Sequence, residues 1–347
     1  MTATPGLPRP FGESVLRARM RSDPEDFVVD ERLGFAPDGA GEHLFLRVRK
    51  RGANTAFVAR ELGRWASVDE RGIGYAGMKD RHAVTTQTFS LHLPGREAPP
   101  TMPQHPEFSV IEASRHSRKL PRGALSGNRF ELILRDVEGE RAALETRLGQ
   151  VAEAGFANYF GEQRFGHGGG NLAAAQRMFD GQRVKREQRG ILLSAARSAL
   201  FNAVLAARVG NATWQSGMDG EVWMLDGSHS VFGPQVADEV VKARAQTGDI
   251  HATGPMWGAG ELRSAGALRL LEEATVLPHA SICKGLADAG LRQERRALRV
   301  RATEFDFQWV SADVLKLSFF LPAGAYATSL LFALGDVREA ERSITSA

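Results

Sequence analysis

Apolar and polar positions along this chain change their period several times. Residues 43–49 alternate, with Leu44, Leu46 and Val48 on one side and Phe45, Arg47 and Arg49 on the other, the pattern of a half-buried strand. Residues 86–93 repeat it, with Phe89, Leu91 and Leu93 set against Thr88, Ser90 and His92. Residues 27–31, 73–76, 108–111 and 129–135 are predicted as further strands, the last placing Phe130, Leu132 and Leu134 on one face. Two helices interrupt them. Asn54–Thr55 can cap one whose Val58, Leu62 and Trp65 form a stripe, and residues 140–154 carry Leu144, Leu148 and Val151 at helical spacing.

The character changes at Gly155. A glycine-rich turn at 166–170 is followed by the strongest helical pattern of the chain, residues 192–209, and from there to about 297 the signals are helical or loop-like. Alternation returns with Leu315, Leu317, Phe319 and Leu321 against Lys316 and Ser318, and Pro322–Ala323–Gly324 ends that strand before a last helix. Strands at both ends around a helical middle predict an α+β fold. One mixed, largely antiparallel sheet domain, residues 1–154 and 301–347, is interrupted by an inserted domain, residues 155–300.

Composition narrows the classes. Of 347 residues, 43% are hydrophobic and 24% charged, which excludes a disordered chain, a coiled coil or a fibre. No uninterrupted apolar run approaches the roughly 18 residues of a membrane span. The proline-bearing start lacks an apolar signal segment, so the cytoplasm is expected and a membrane partner is not. The single cysteine, Cys283, excludes a disulfide framework and a cysteine-rich metal site, and the nine histidines form no HExxH pattern, so no metal is expected. Lys and Arg exceed Asp and Glu by only 44 to 41, but the basic residues cluster at 47–51, 115–122, 183–189 and 292–301, which points to a polyanionic partner.

Several segments could carry chemistry. Gly166 to Gly170 resembles a phosphate-cradling loop, yet residues 158–165 do not read as a buried parallel strand, so a structural turn is the better expectation. Cys283 beside Ile282 reads as a packing residue rather than the nucleophile of an RNA methyltransferase. The informative segment is GYAGMKDRHAVTTQ, residues 74–87: a short strand, a polar knot of Lys79, Asp80 and Arg81, and a second strand. Cations on both sides of Asp80 favour its ionised form. Composition alone would make this a charged loop in water.

The string itself is similar to the signature of the tRNA pseudouridine synthase D (TruD) family. Other motifs follow in the family's order: PEDFVV at 24–29, GEH at 41–43, Asn54–Thr55, GNRF at 127–130, NYFGEQRFG at 158–166, Arg197–Ser198, GPMWG at 254–258, ERRAL at 294–298, and Pro322–Ala323–Gly324 to Thr328–Ser329. The resemblance covers nearly the whole chain. It implies the pseudouridine-synthase sheet fold with a family-specific TRUD insertion and an RNA-binding cleft. It also implies a reaction that detaches uracil from C1′ of the ribose, turns it, and rejoins it through C5. Asp80 matches the nucleophile, and no cofactor is implied because the reaction neither imports a group nor changes redox state. Arg21, counted back from the PEDF motif, matches the basic partner of that aspartate, although the residues alone equally allow Lys79 or Arg81. Phe130 matches the ring that stacks on the base; Phe27, Asn128 and Lys79 match further substrate contacts. Tyr326 matches another, where the family often has phenylalanine. The implied partner is tRNA, with uridine 13 as the target, and DNA, an obligate protein partner and oligomerisation are not expected. A non-catalytic RNA binder on the same scaffold would lack the aspartate.

Overall fold

The alternating runs at the two ends of the chain come together in one sheet. The structure, a computed structural model, describes residues 6–340. Seven strands run across this sheet in the order Thr303–Ser311, Val314–Pro322, Leu125–Glu138, Phe27–Leu33, Val84–His92, His43–Arg51 and Phe108–His116. All neighbours are antiparallel except Phe27–Leu33 with Val84–His92, which run parallel. The fold is therefore α+β with a mixed, largely antiparallel sheet. Register places Phe130 opposite Phe319 on one side and Val29 on the other, and Asn128 opposite Glu31. Leu315, Leu317, Phe319 and Leu321 are fully buried, as their alternation requires.

One strand departs from its pattern. Val84–His92 is buried along nearly its whole length, including Thr85, Gln87, Thr88 and Ser90. Both of its faces are covered. The helix Thr55–Ala66, capped by Asn54 Oδ1 accepting from the Phe57 N–H at 2.7 Å, packs Val58 and Leu62 against Phe89 and Leu91. On the other face the Leu120 N–H donates to Ser90 Oγ at 3.0 Å. The buried Gln87 and Ser90 side chains are thus partnered rather than solvated, while the Thr85 hydroxyl is buried without a hydrogen-bond partner among the described residues.

By compactness the chain divides into two units, one of residues 18–138, 302–324 and 338–347, the other of 1–17, 139–301 and 325–337. These limits differ from the expected 1–154/301–347 and 155–300. The reason is visible at Arg147, on the helix Arg141–Ala154: its buried guanidinium donates to the backbone carbonyls of Phe11, Glu13 and Ala333. That single group ties residues 11–13, the helix Arg141–Ala154 and the helix Ala327–Leu334 into the second unit.

The second unit is built around the helix Arg186–Gly210. One of its faces packs Phe201 and Leu205 with Trp223 and Ile250; another packs Leu192, Ala196 and Leu200 with Val276, Ile282 and Leu286. By length and composition this helix could cross a membrane, but half of its most apolar stretch is buried inside the protein, as in a core helix. Beside it lies an antiparallel sheet in the order Val231–Gln235, Glu221–Leu225, Ile250–Met256, Glu294–Ala297. The expectation of helices and loops over this stretch missed it, because Glu221–Leu225 and Ile250–Met256 are buried almost continuously and show no alternation. Gly166, Gly168 and Gly169 take left-handed backbone in a turn that follows the short helical turn Glu162–Arg164, not a strand. Cys283 packs among the helices, where burial pushes its thiol up to about 11, far from a useful nucleophile.

Arg208 and Glu221 form a fully buried ion pair at 2.6 Å, in which burial pushes the Glu221 carboxyl up while Arg208 holds it down. Glu221→Gln removes one charge and leaves the guanidinium uncompensated. It should cost roughly 3–5 kcal/mol of stability in chemical denaturation, with much of that recovered when Arg208→Met is added. Equal melting of wild type and Glu221→Gln would show that the pair does not hold the unit together.

Candidate active site

The candidate site lies in the unit that carries the seven strands running across the large sheet. Asp80 follows the short strand Ile73–Tyr75 and precedes Val84–His92, so both ends of its loop are anchored. Its side chain is 30% exposed. Oδ2 meets Nη2 of Arg21 at 3.0 Å, and Oδ1 accepts the backbone N–H of His82 at 2.9 Å. Both oxygens are therefore held in place, with an opening to solvent left over.

Arg21 is itself tightly fixed, with only 7% of its side chain exposed. Its guanidinium lies over the Phe27 ring at 4.1 Å and its other terminal nitrogen donates to Glu339. Its backbone adopts φ 59°, a left-handed conformation that costs a side-chain-bearing residue on the order of 1–3 kcal/mol. Such strain persists only where the surroundings over-determine it, and here an aromatic ring and two carboxylates do so.

The two other candidate partners of Asp80 go elsewhere. Lys79 Nζ sits 3.0 Å from Oε2 of Glu31, whose side chain is fully buried, and donates to Asn128 Oδ1. The Lys79 N–H donates to Thr55 Oγ1 at 2.9 Å, and that hydroxyl donates to Gln87 Oε1 at 2.9 Å. Arg81 is exposed and donates to the Gly52 carbonyl at 2.9 Å. Of the three cations left open by the sequence, Arg21 is the one against the carboxylate.

Two residues of the site escaped sequence reasoning. Lys50, 1% exposed, donates to the carbonyls of Ala53 at 2.8 Å and Asp80 at 2.9 Å. Burial pushes its ammonium down to about 8; the Asp80 carboxylate opposes this and the Lys79 ammonium adds to it. Glu31 braces Lys79 and accepts the Thr88 N–H at 3.2 Å. Both carried a signal. Lys50 shares its strand face with Leu44, Leu46 and Val48, and Glu31 shares one with Phe27 and Val29, so each is a charge at an inward position.

The expected base contacts are arranged around this network. Phe130 is 8% exposed; Phe319 stacks on it at 5.4 Å and Phe27 meets it edge-on at 6.1 Å. The amide nitrogen of Asn128 has no hydrogen-bond partner among the described residues, its oxygen being taken by Lys79. Tyr326 belongs to the other unit, where its hydroxyl accepts from Arg164 Nη2 at 2.5 Å and its ring lies 6.1 Å from Phe160.

The basic clusters divide sharply. In 47–51, Lys50 points inward, Arg47 pairs with Asp30 at 2.7 Å and Arg51 with Glu25 at 2.6 Å. In 292–301, Arg295 pairs with buried Glu272 at 2.8 Å, Arg296 lies over Phe160 at 4.3 Å, and Arg299 serves the Ala245 and Ile250 carbonyls. Those two clusters are largely structural. In contrast, Arg183, Lys185, Arg186 and Arg189 are exposed and have no ion pair among the described residues.

Comparison with known proteins identifies the family. The family model described as tRNA pseudouridine synthase D (TruD) matches residues 13–180 and 171–333. A tRNA pseudouridine synthase D of Xanthomonas axonopodis pv. citri is 52% identical over 99% of this chain and 98% of its own length. That of Methylococcus capsulatus is 46% identical over 94% of this chain and 93% of its own. A crystal structure of a Methanosarcina mazei protein bearing the same family name, 18% identical, superposes with a TM-score of 0.73 over 94% of this chain and 95% of that one, which supports the fold. With a family model spanning both halves of the chain and relatives about half identical along its length, the chain belongs to the tRNA pseudouridine synthase D family.

Proposed function

We propose that this chain isomerises uridine to pseudouridine in tRNA, with the Asp80 carboxylate as its nucleophile. The observation that carries this reading is the carboxylate held at both oxygens yet open to solvent, in a family whose named members are tRNA pseudouridine synthases. In the reaction the N1–C1′ bond breaks and a C5–C1′ bond forms, the hydrogen on C5 is lost and N1 gains one. Every atom of the product comes from the nucleotide and exchangeable protons, so the balance calls for no cofactor. A carboxylate can add to the sugar or base and leave again, and the Arg21 contact fixes its orientation between turnovers. Phe130 and Phe27 supply an apolar wall for the turned base, the free amide nitrogen of Asn128 a donor toward it, and Lys79 fixes Asn128. Tyr326 is a further RNA contact. The target is uridine 13, the enzyme works as a monomer in the cytoplasm without DNA or an obligate protein partner, and residues 155–300 serve as the RNA-reading insertion in a catalytic framework of 1–154 and 301–347.

Asp80→Asn should fold and bind tRNA but form no pseudouridine, because the amide has no nucleophilic oxygen; mapping pseudouridine in an unmodified transcript checks this, and turnover near wild type would remove Asp80 from the chemistry. Arg21→Met should lower the single-turnover rate by roughly 100- to 1,000-fold while tRNA affinity changes only a few-fold. An equal loss in both would make Arg21 a binding residue.

The Lys50 ammonium gives a pH signature. Turnover should decline as pH rises through about 8, where the group beside the Asp80 loop loses its charge. Stability should move the other way. The folded value lies below the ordinary 10.5, so the group costs stability below about 8, and that cost is relieved as pH rises toward 10.5. Activity and melting profiles across the window separate the two effects, and a flat activity profile would show that the Lys50 charge plays no part.

A further inference from the structure

Beside the Asp80 loop runs a groove of about 810 Å³, between the helix Thr55–Ala66 on one side and residues 119–122 on the other, with the strand Ile73–Tyr75 as its floor. That strand pairs on one side only, with Val84–His92, so the groove follows its open edge. We propose that this groove holds the single-stranded RNA that flanks the target nucleotide. The inference rests on the tRNA reading above and extends it to a site that the reaction itself does not use.

Three features support this occupant. The first is chemistry. The Tyr75 ring is half-buried in the groove with the Arg122 guanidinium 5.8 Å from its centre. Arg60 and Lys119 line the groove as well, and all three cations are exposed. Neither Arg60 nor Arg122 has an acidic partner among the described residues, and Lys119 gives one donor to the Arg71 carbonyl at 2.6 Å, leaving two. An aromatic face next to unpaired cations is the combination that takes a stacked base and its phosphate. Asp69 and Glu70 also line the groove and repel phosphate, which leaves the Tyr75–Arg122 wall for the backbone.

The second feature is attachment. The Gly123 N–H donates to the Ala76 carbonyl at 2.8 Å, and Thr55 holds the Lys79 N–H at 2.9 Å. Both walls of the groove are therefore tied to the loop that carries Asp80. The third is reach. Tyr75 and Asp80 are five residues apart, at most about 18 Å along extended chain, so the groove serves nucleotides close to the target and not a distant arm of the RNA. Its volume lies in the range of one small-ligand pocket, roughly 300–1,000 Å³, which limits the strand to a nucleotide or two.

The test begins with the wild-type protein and a tRNA transcript carrying 4-thiouridine beside the target position. Irradiation should crosslink it to peptides containing Tyr75 or residues 119–122, and crosslinks confined to other segments would overturn the proposal. Lys119→Ala with Arg122→Ala changes only exposed side chains, so the fold is kept. Binding should weaken, the dependence of log Kd on log salt should become shallower by about 0.7 for each phosphate left without its cation, and kcat at saturating tRNA should hold. Tyr75→Ala should bind roughly 5- to 150-fold more weakly, and Tyr75→Phe should restore binding. Unchanged affinity and salt dependence in the double variant would show that the groove does not meet RNA. Displacement of the crosslink by free mononucleotide as effectively as by tRNA would assign the groove to a small ligand instead. A wild-type protein that forms no pseudouridine would count against the tRNA reading alone, since the crosslink is read without turnover.

Discussion

An ammonium on the inward face of a strand has little water to turn to, so protein oxygens must reach it. Lys50 is in that position, and the oxygens it finds are the carbonyls of Ala53 and Asp80. The contact pins the backbone of the loop that carries Asp80. Lys79 repeats the device with Glu31 and Asn128, and Arg21 with Asp80 and Glu339. Lys50 lies in a sheet strand and Arg21 directly follows one, while Lys79 reaches from the loop itself back to Glu31 and Asn128 in the sheet. The carboxylate is held by groups that are themselves immobile, which is what a site on a loop needs if its geometry is to be set before substrate arrives.

The same rule governs the other unit, with no chemistry attached. Arg208 answers Glu221, Arg295 answers Glu272, and Arg147 is surrounded by main-chain carbonyls. Much of the arginine content is thus internal framework. The isoelectric point of about 9.2 overstates how much positive charge is free to meet a polyanion, and runs of basic letters in the sequence do not by themselves mark RNA-facing surface.

What the sequence made legible followed from local rules. Alternation located the strands around Phe130 and Phe319, the Asn54 cap located the helix that covers Phe89 and Leu91, and the string around Asp80 located the loop. Three things were not legible, each for a physical reason. Strands buried on both faces, such as Ile250–Met256, have no polar side to alternate with. The limits of the compact units depend on Arg147 reaching segments more than 130 residues away, which no window along the chain can see. The inward turn of Lys50 was written in its parity with Leu46 and Val48, but the basic letters from Arg47 to Arg51, broken only by Val48, read first as a surface cluster.

The pairing of Val314–Pro322 with Leu125–Glu138 has a consequence for how the protein is made. Leu125–Glu138 pairs with Phe27–Leu33 and Arg17–Met20, and its remaining partner lies almost two hundred residues later in the chain. During synthesis the ribosome therefore releases a long strand with one open, hydrogen-bonding edge and an apolar face that includes Phe130, Leu132 and Leu134. Neither compact unit can close until the segments near residue 320 and the helix Ala327–Leu334 have emerged. Loop closure over such a distance is slow, and an unpaired edge invites association with other nascent chains. Folding of this enzyme can thus be completed only late in its synthesis, and until then the open edge of Leu125–Glu138 has no partner on that side.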